Sequence, residues 1–266
     1  MSDHAQKHPF HLVDPSPWPL VAAASAGLFT GGMVMFMHSD RAPADFWLAA
    51  IGIAGILFVM FRWWSNVISE SKIYHNKVVQ IGLRYGMSLF IASEVMFFVA
   101  FFWAFFHNAF VIFSPGVTEW PPAGVEVLDP WDLPFLNTLI LLLSGCTLTW
   151  AHHGIIEGKK KDLVQGLALT VALGVIFLCL QAYEYSHAAF GFADNIYSST
   201  FYMATGFHGF HVFVGTVFLA VCLVRAMKDG FKPDHHFGLE AAAWYWHFVD
   251  VVWLFLFFAV YIWGGE

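Results

Sequence analysis

The stretch Gly86–Phe106 reads GMSLFIASEVMFFVAFFWAFF, and Glu94 is its one charged residue. A helix of about 20 apolar residues spans the hydrocarbon core of a bilayer. An ionisable side chain at that depth is costly, and it persists only where a partner or a polar crevice stabilises it. The stretch therefore predicts a membrane helix inside a bundle, with Glu94 turned toward protein rather than lipid.

Composition extends this reading to the whole chain. Of its 266 residues, 59% are hydrophobic, 19% aromatic and only 12% charged. A soluble domain carries about 25% charged residues, so the fold class expected is an all-α polytopic membrane protein. The net charge of −7 comes from acids spread thinly through loops, and it points to neither acidic partners nor nucleic acid. Cys146, Cys179 and Cys222 lie singly in apolar runs, which reads as packing rather than a disulfide or zinc framework. The first 17 residues are polar and contain Pro9, Pro15 and Pro17, so no cleavable leader is expected.

Seven apolar stretches are long enough to span: 18–38, 46–64, 82–110, 135–153, 163–187, 199–225 and 239–263. The first contains Gly27, Gly31 and Gly32, which weaken a helix but allow close helix contact in lipid. Residues 65–81, SNVISESKIYHNKVVQI, are too polar to cross. The predicted organisation is a tail 1–17, a two-helix unit 18–64, an inner connecting segment 65–81 and a five-helix unit 82–266. No internal repeat is visible, which weakens an alternating-access transporter reading.

Charge sets the orientation. With the N-terminus on one side, that side receives Lys7, Arg62, Lys72, Lys77, Arg84, Lys159, Lys160, Lys161, Arg225, Lys228 and Lys232, and the other receives Arg41 alone. Short loops obey the positive-inside rule. The N-terminus is expected in the cytoplasm and the C-terminus in the periplasm of a bacterial inner (plasma) membrane, with a mitochondrial inner membrane as the alternative. Trp18, Trp63, Trp64, Trp103, Trp150, Tyr197, Tyr245 and Trp263 are read as interfacial aromatics.

Several polar groups could carry chemistry. His208 and His211 share a helix face, as do His247 and Asp250. His152 and His153 end the fourth stretch, and Glu184 and His187 end the fifth. Imidazoles converging on one point would suit haem or copper. Mutual satisfaction of buried polar groups across helices is the reading preferred, because lipid supplies no water to do it. Glu94 is read as either a structural acid or a proton-relay carboxylate. A rise of about 1.5 Å per residue places His211 at a similar depth, so a Glu94–His211 contact is expected. Basic and aromatic residues on the inner side, among them Trp63, Trp64, Glu70, His75, Arg84, Arg225, Lys228 and Lys232, are read as either a site for anionic lipid head groups or the ordinary positive-inside excess. His4, His8 and His11 are read as either a surface proton buffer or part of a solvated tail.

Longer blocks carry a family resemblance. LRYGMSLFIASEVMFF (83–98), TWAHHGIIEG (149–158), QAYEYSHAAF (181–190), STFYMATGFHGFHVFVGTVFL (199–219), HHFGLEAAAWYWHFVDVVWLF (235–255) and HLVDPSPWP (11–19) closely resemble subunit III of the haem–copper cytochrome c oxidases. The resemblance implies seven transmembrane helices, with a lipid-binding cleft between the first two and the other five. It implies a non-redox accessory subunit of an aa3-type oxidase that passes electrons from cytochrome c to oxygen and pumps protons. The subunit would contact catalytic subunit I directly, with subunit II in the same complex. No catalytic residue, metal or other cofactor is expected in this chain, and haem and copper are expected in the partner subunits. By motif match Glu94 is the family's reactive membrane carboxylate. Phospholipid-contacting positions map onto Trp63, Trp64, Glu70, Ser71, His75, Phe90, Arg225, Lys228, His235, Phe237 and Gly238, although SKIYHNKV at 71–78 departs from the family's Gly-His-His-Thr-Pro-like segment. The resemblance also makes His4, His8 and His11 proton collectors. Two rivals follow from the residues: an independent proton or ion transporter using Glu94 and Asp250, and a redox subunit binding haem through His208, His211 and His247.

Overall fold

The computed structural model describes residues 8–39, 43–110 and 119–265. Among the described residues seven helices follow one another: α1 Trp18–His38, α2 Pro43–Tyr74, α3 Lys77–Ala109, α4 Leu133–Ile156, α5 Lys160–His187, α6 Ile196–Met227 and α7 Phe237–Leu256. A π-helical turn, Phe257–Ile262, and a 3-10 turn, Trp263–Gly265, continue α7. Among the described residues the only β feature is an isolated bridge, Lys232–His235. All seven helices are long and apolar enough to cross a membrane. The protein is a multi-pass, all-helical membrane protein. His4 and Arg41 lie outside the described residues.

Backbone contacts divide the chain into two compact units, Met1–Leu83 and Arg84–Glu266. The first is a hairpin of α1 and α2. Its helices approach so closely that a Cβ on Gly32 or Gly52 would fall inside the backbone of Ala49 or Phe29. Lipid provides no hydrophobic drive between helices, so close van der Waals contact at small residues holds such a pair. Gly27 and Gly31, by contrast, face open space.

The segment 65–81 is mostly helical rather than an open connection. α2 runs on to Tyr74, α3 begins at Lys77, and His75 and Asn76 alone separate them. The reason is local. The stretch has no Gly or Pro to break the helix, and Asn76 Oδ1 accepts from the Val78 and Val79 amides to cap α3. Asn76 also donates to the Pro9 carbonyl at 2.7 Å. His11 stacks on Tyr74 at 4.9 Å, so the described end of the N-terminal segment lies against α2.

In the second unit α4, α5, α6 and α7 pack side by side, and α7 carries the most buried face. Trp246 and Trp253 on α7 are fully buried (both 0% exposed). Their indole N–H groups donate to Ser144 Oγ and Thr138 Oγ1 of α4, each at 2.9 Å. Gly174 of α5 and Gly215 of α6 make room for Trp246, because a Cβ at either would meet its ring at 2.8 Å. Asn195 and Ser198 form a reciprocal cap that starts α6. At the basal end, where α4 and α6 finish and α5 and α7 start, Lys160 ties α5 to α6 through Asp229 at 2.7 Å and the Met227 carbonyl at 3.2 Å.

Tyr197 and Tyr245 do not present exposed rings. Both are buried in the core of this unit, because each ring packs against other aromatic groups of the bundle. Trp64, Trp103, Trp150 and Trp263 do present exposed rings.

Substituting Gly52 by Val is expected to destabilise the α1–α2 hairpin by about 1–3 kcal/mol, the range for overpacking. Gly27→Ala, with space around it, should leave stability within about 0.5 kcal/mol. Thermal unfolding of the two variants in the same lipid checks both.

Candidate functional site: a carboxyl–imidazole bridge inside the bundle

Glu94 of α3 and His211 of α6 meet, with His211 Nε2 2.9 Å from Glu94 Oε2. Aromatic rings surround the contact. Phe98 lies 5.0 Å from the imidazole centroid, Phe97 5.9 Å and Phe248 6.2 Å, and Tyr245 stacks at 6.2 Å. The His211 side chain is 8% exposed and that of Glu94 22%. The helical repeat explains the sheath on α3: Phe90, Phe97 and Phe98 stand three or four residues from Glu94 and flank it on one face.

The second nitrogen of His211 fixes the chemistry. Nδ1 lies 2.6 Å from the Phe207 carbonyl one turn back. A carbonyl only accepts, so Nδ1 carries a hydrogen. In a neutral ring Nε2 is then the lone-pair nitrogen, and the bridge requires a carboxylic acid on Glu94. In the alternative the ring is an imidazolium and Glu94 a carboxylate. Either way the Nε2–Oε2 contact holds one proton and the pair has no net charge. Such a pair avoids the cost of an isolated buried ion and can pass a proton across a single hydrogen bond.

The other candidate groups go to separate partners. His208 Nε2 donates to the Val249 carbonyl on α7 at 3.2 Å, and its ring lies 5.0 Å from Trp253. His247 pairs with Asp250 on its own helix at 3.3 Å, while Asp250 Oδ1 is buried without a hydrogen-bond partner among the described residues. Thus His208, His211 and His247 do not converge on one point. His187 bonds the Tyr183 carbonyl at 3.0 Å on an exposed face.

Glu184 is more deeply placed than its position at a helix end suggested. It is 2% exposed and accepts from Tyr261 at 2.7 Å and from Gln181 at 3.0 Å. The sequence reading missed Gln181 and Tyr261. The i,i+3 spacing of Gln181 and Glu184 was visible in the sequence, but the π-helical turn that carries Tyr261 was not. The Arg84–Glu240 pair was also missed. Arg84 donates through Nε and Nη2 to both carboxylate oxygens of Glu240, at 2.8 and 3.0 Å.

The lipid-contacting candidates fall on both units. On the first, Trp63, Trp64, Glu70, Ser71 and His75 occupy the C-terminal half of α2 and the residue after it, with Trp64 exposed and Ser71 bonded to the Ile68 carbonyl. His11 approaches Glu70 at 3.9 Å and the His75 ring at 5.6 Å, and His8 is half-buried. On the second unit Phe90 is exposed and stacks on Tyr245. Arg225 and Lys228 end α6, and His235, Phe237 and Gly238 lead into α7. The Arg225 guanidinium lies 4.2 Å from the Phe231 ring centroid, and a Cβ at Gly238 would meet its Nη1 at 2.9 Å. No carboxylate lies within 4.0 Å of Arg225 among the described residues.

A family model described as "Cytochrome c oxidase subunit III" matches residues 8–265. The chain belongs to the cytochrome c oxidase subunit III family. Cytochrome c oxidase subunit 3 of Prototheca wickerhamii is 56% identical, over 98% of this chain and 99% of that protein. The proteins of the same name from Chondrus crispus and Arabidopsis thaliana are each 55% identical, over 100% and 98% of this chain and 98% of each relative. Membership of the subunit III family therefore covers both units and the whole helical order.

Replacing Glu94 by Ala leaves His211 Nε2 unpaired in an apolar sheath and is expected to cost about 1–3 kcal/mol. Glu94→Gln keeps a donor facing Nε2 and should lose clearly less. Thermal melting of the two variants, compared with the parent, gives the order.

Proposed function

We propose that this chain is the non-redox accessory subunit of an aa3-type cytochrome c oxidase. In this reading it stabilises catalytic subunit I by direct contact, in a complex that also holds subunit II, and those partners carry the haem and copper. The family match along the chain is the observation that supports it most. The separate engagement of His208, His211 and His247 by a carbonyl, a carboxyl and an aspartate also weighs against a haem-binding role.

Two finer roles belong to the proposal. The first is retention of structural phospholipid by Trp63, Trp64, Glu70, Ser71, His75, Phe90, Arg225, Lys228, His235, Phe237 and Gly238. Arg225 supports it most, since a half-buried guanidinium without a carboxylate neighbour is suited to a phosphate. The second is support of proton uptake. His8 and His11, with His4 of the tail, would collect protons on the cytoplasmic face if the charge asymmetry sets the orientation. Glu94 and His211 would hold one proton within the membrane. The independent-transporter alternative uses Glu94 and Asp250, and it predicts proton flux from this chain alone in liposomes.

Removing the chain from the purified complex should leave electron transfer near its starting rate with haem and copper retained. Activity should then decline faster during turnover. Loss of haem or copper on removal would refute the accessory role. For the lipid role, Arg225→Ala should lower the phospholipid retained per complex in native mass spectrometry, and unchanged lipid content would remove Arg225 from the site.

A further inference from the structure

At the basal end of the second unit a polar cluster lies apart from the Glu94–His211 bridge. His152 comes from the last turns of α4, His236 caps the start of α7, and Glu240 stands one turn into α7. One ligating atom from each lies within 4.8 Å of the other two. The two imidazoles meet edge to face at 5.6 Å. No other group of three or more His, Cys, Asp or Glu side chains comes this close among the described residues.

Hydrogen-bond accounting leaves the cluster a place for a cation. Arg84 donates to both oxygens of Glu240, so neither oxygen has reason to hold a proton there. His236 Nδ1 lies 3.0 Å from the Lys232 carbonyl, so that nitrogen carries the hydrogen and Nε2 is the lone-pair nitrogen of the neutral ring. That Nε2 faces Glu240 Oε1 at 3.4 Å, lone pair to lone pair. The His152 Nε2 atom is buried and has no hydrogen-bond partner among the described residues. A proton placed between His236 and Glu240 would satisfy those two groups and leave His152 orphaned. One metal ion satisfies all three.

We infer that His152, His236 and Glu240 form a Zn2+ site that ties the end of α4 to the start of α7. Two imidazoles and a carboxylate suit zinc, whereas Ca2+ and Mg2+ favour all-oxygen sets. The groups that would orient these ligands are in place as well. The Lys232 carbonyl orients the His236 ring, and Arg84 orients the carboxylate, whose oxygens have further lone pairs for a metal. A tetrahedral ion holds ligand atoms about 3.4 Å apart, so the cluster closes on zinc by side-chain rotations of roughly 1 Å. A water completes the fourth position.

The test uses the protein isolated with the subunits that accompany it, stripped with EDTA, incubated with Zn2+ and freed of excess. The parent should retain one more zinc per chain than His152→Ala, and His153→Ala, which alters the exposed neighbour, should match the parent. The X-ray absorption spectrum of the retained zinc should show two imidazoles. Equal zinc in the parent and His152→Ala overturns the site. If His152→Ala does not assemble, the parent decides alone: no retained zinc, or zinc without imidazole ligands, overturns it equally.

Discussion

Lipid offers no hydrogen bond, so polar groups inside this bundle find partners within the protein, on a neighbouring helix or on their own. That constraint fixes how the second unit packs. Trp246 and Trp253 can be fully buried on α7 because Ser144 and Thr138 of α4 accept from their indole nitrogens. Thr147 and Thr170 bond each other across α4 and α5 at 2.8 Å. Tyr261, on the π-helical turn, reaches Glu184 of α5. Each bond sets the depth and rotation of one helix against another, so α7 is held by its polar groups as well as by its apolar surface.

The Glu94–His211 bridge follows the same logic with an added consequence. The Phe207 carbonyl settles which His211 nitrogen carries its own hydrogen, leaving one proton for the bridge. Phe97, Phe98 and Phe248 pack around the His211 ring, and an apolar surround strengthens a hydrogen bond and raises the cost of breaking it. The pair is at once a helix clamp and a place for one proton. The proposed zinc site would be its counterpart at the basal end, with a metal ion in place of the proton.

The spans were legible because seven apolar runs are long and separated by polar or proline-containing turns. The Glu94–His211 contact was legible because rise per residue puts both side chains at similar depth. Other features depend on tertiary context. α2 runs on to Tyr74 and α3 starts from the Asn76 cap, and a polar stretch hides a helix from a reading by hydropathy. The burial of Tyr197 and Tyr245 depends on aromatic neighbours from elsewhere in the bundle. His236 and Glu240, four apart, were a visible pair, but His152 joins them only through the packing of α4 near α7. The lipid-contacting positions came from family resemblance, since an exposed apolar face does not distinguish bound phospholipid from bulk bilayer.

The most direct test of the central claim is a double-mutant cycle on the bridge, with Glu94→Ala, His211→Ala and the pair compared by unfolding free energy in one lipid environment. If a shared proton and hydrogen bond hold α3 to α6, the two losses will be non-additive, with a coupling energy of about 1 kcal/mol or more. Losses that add within about 0.3–0.5 kcal/mol would show that each side chain is stabilised without the other, and the account would fail.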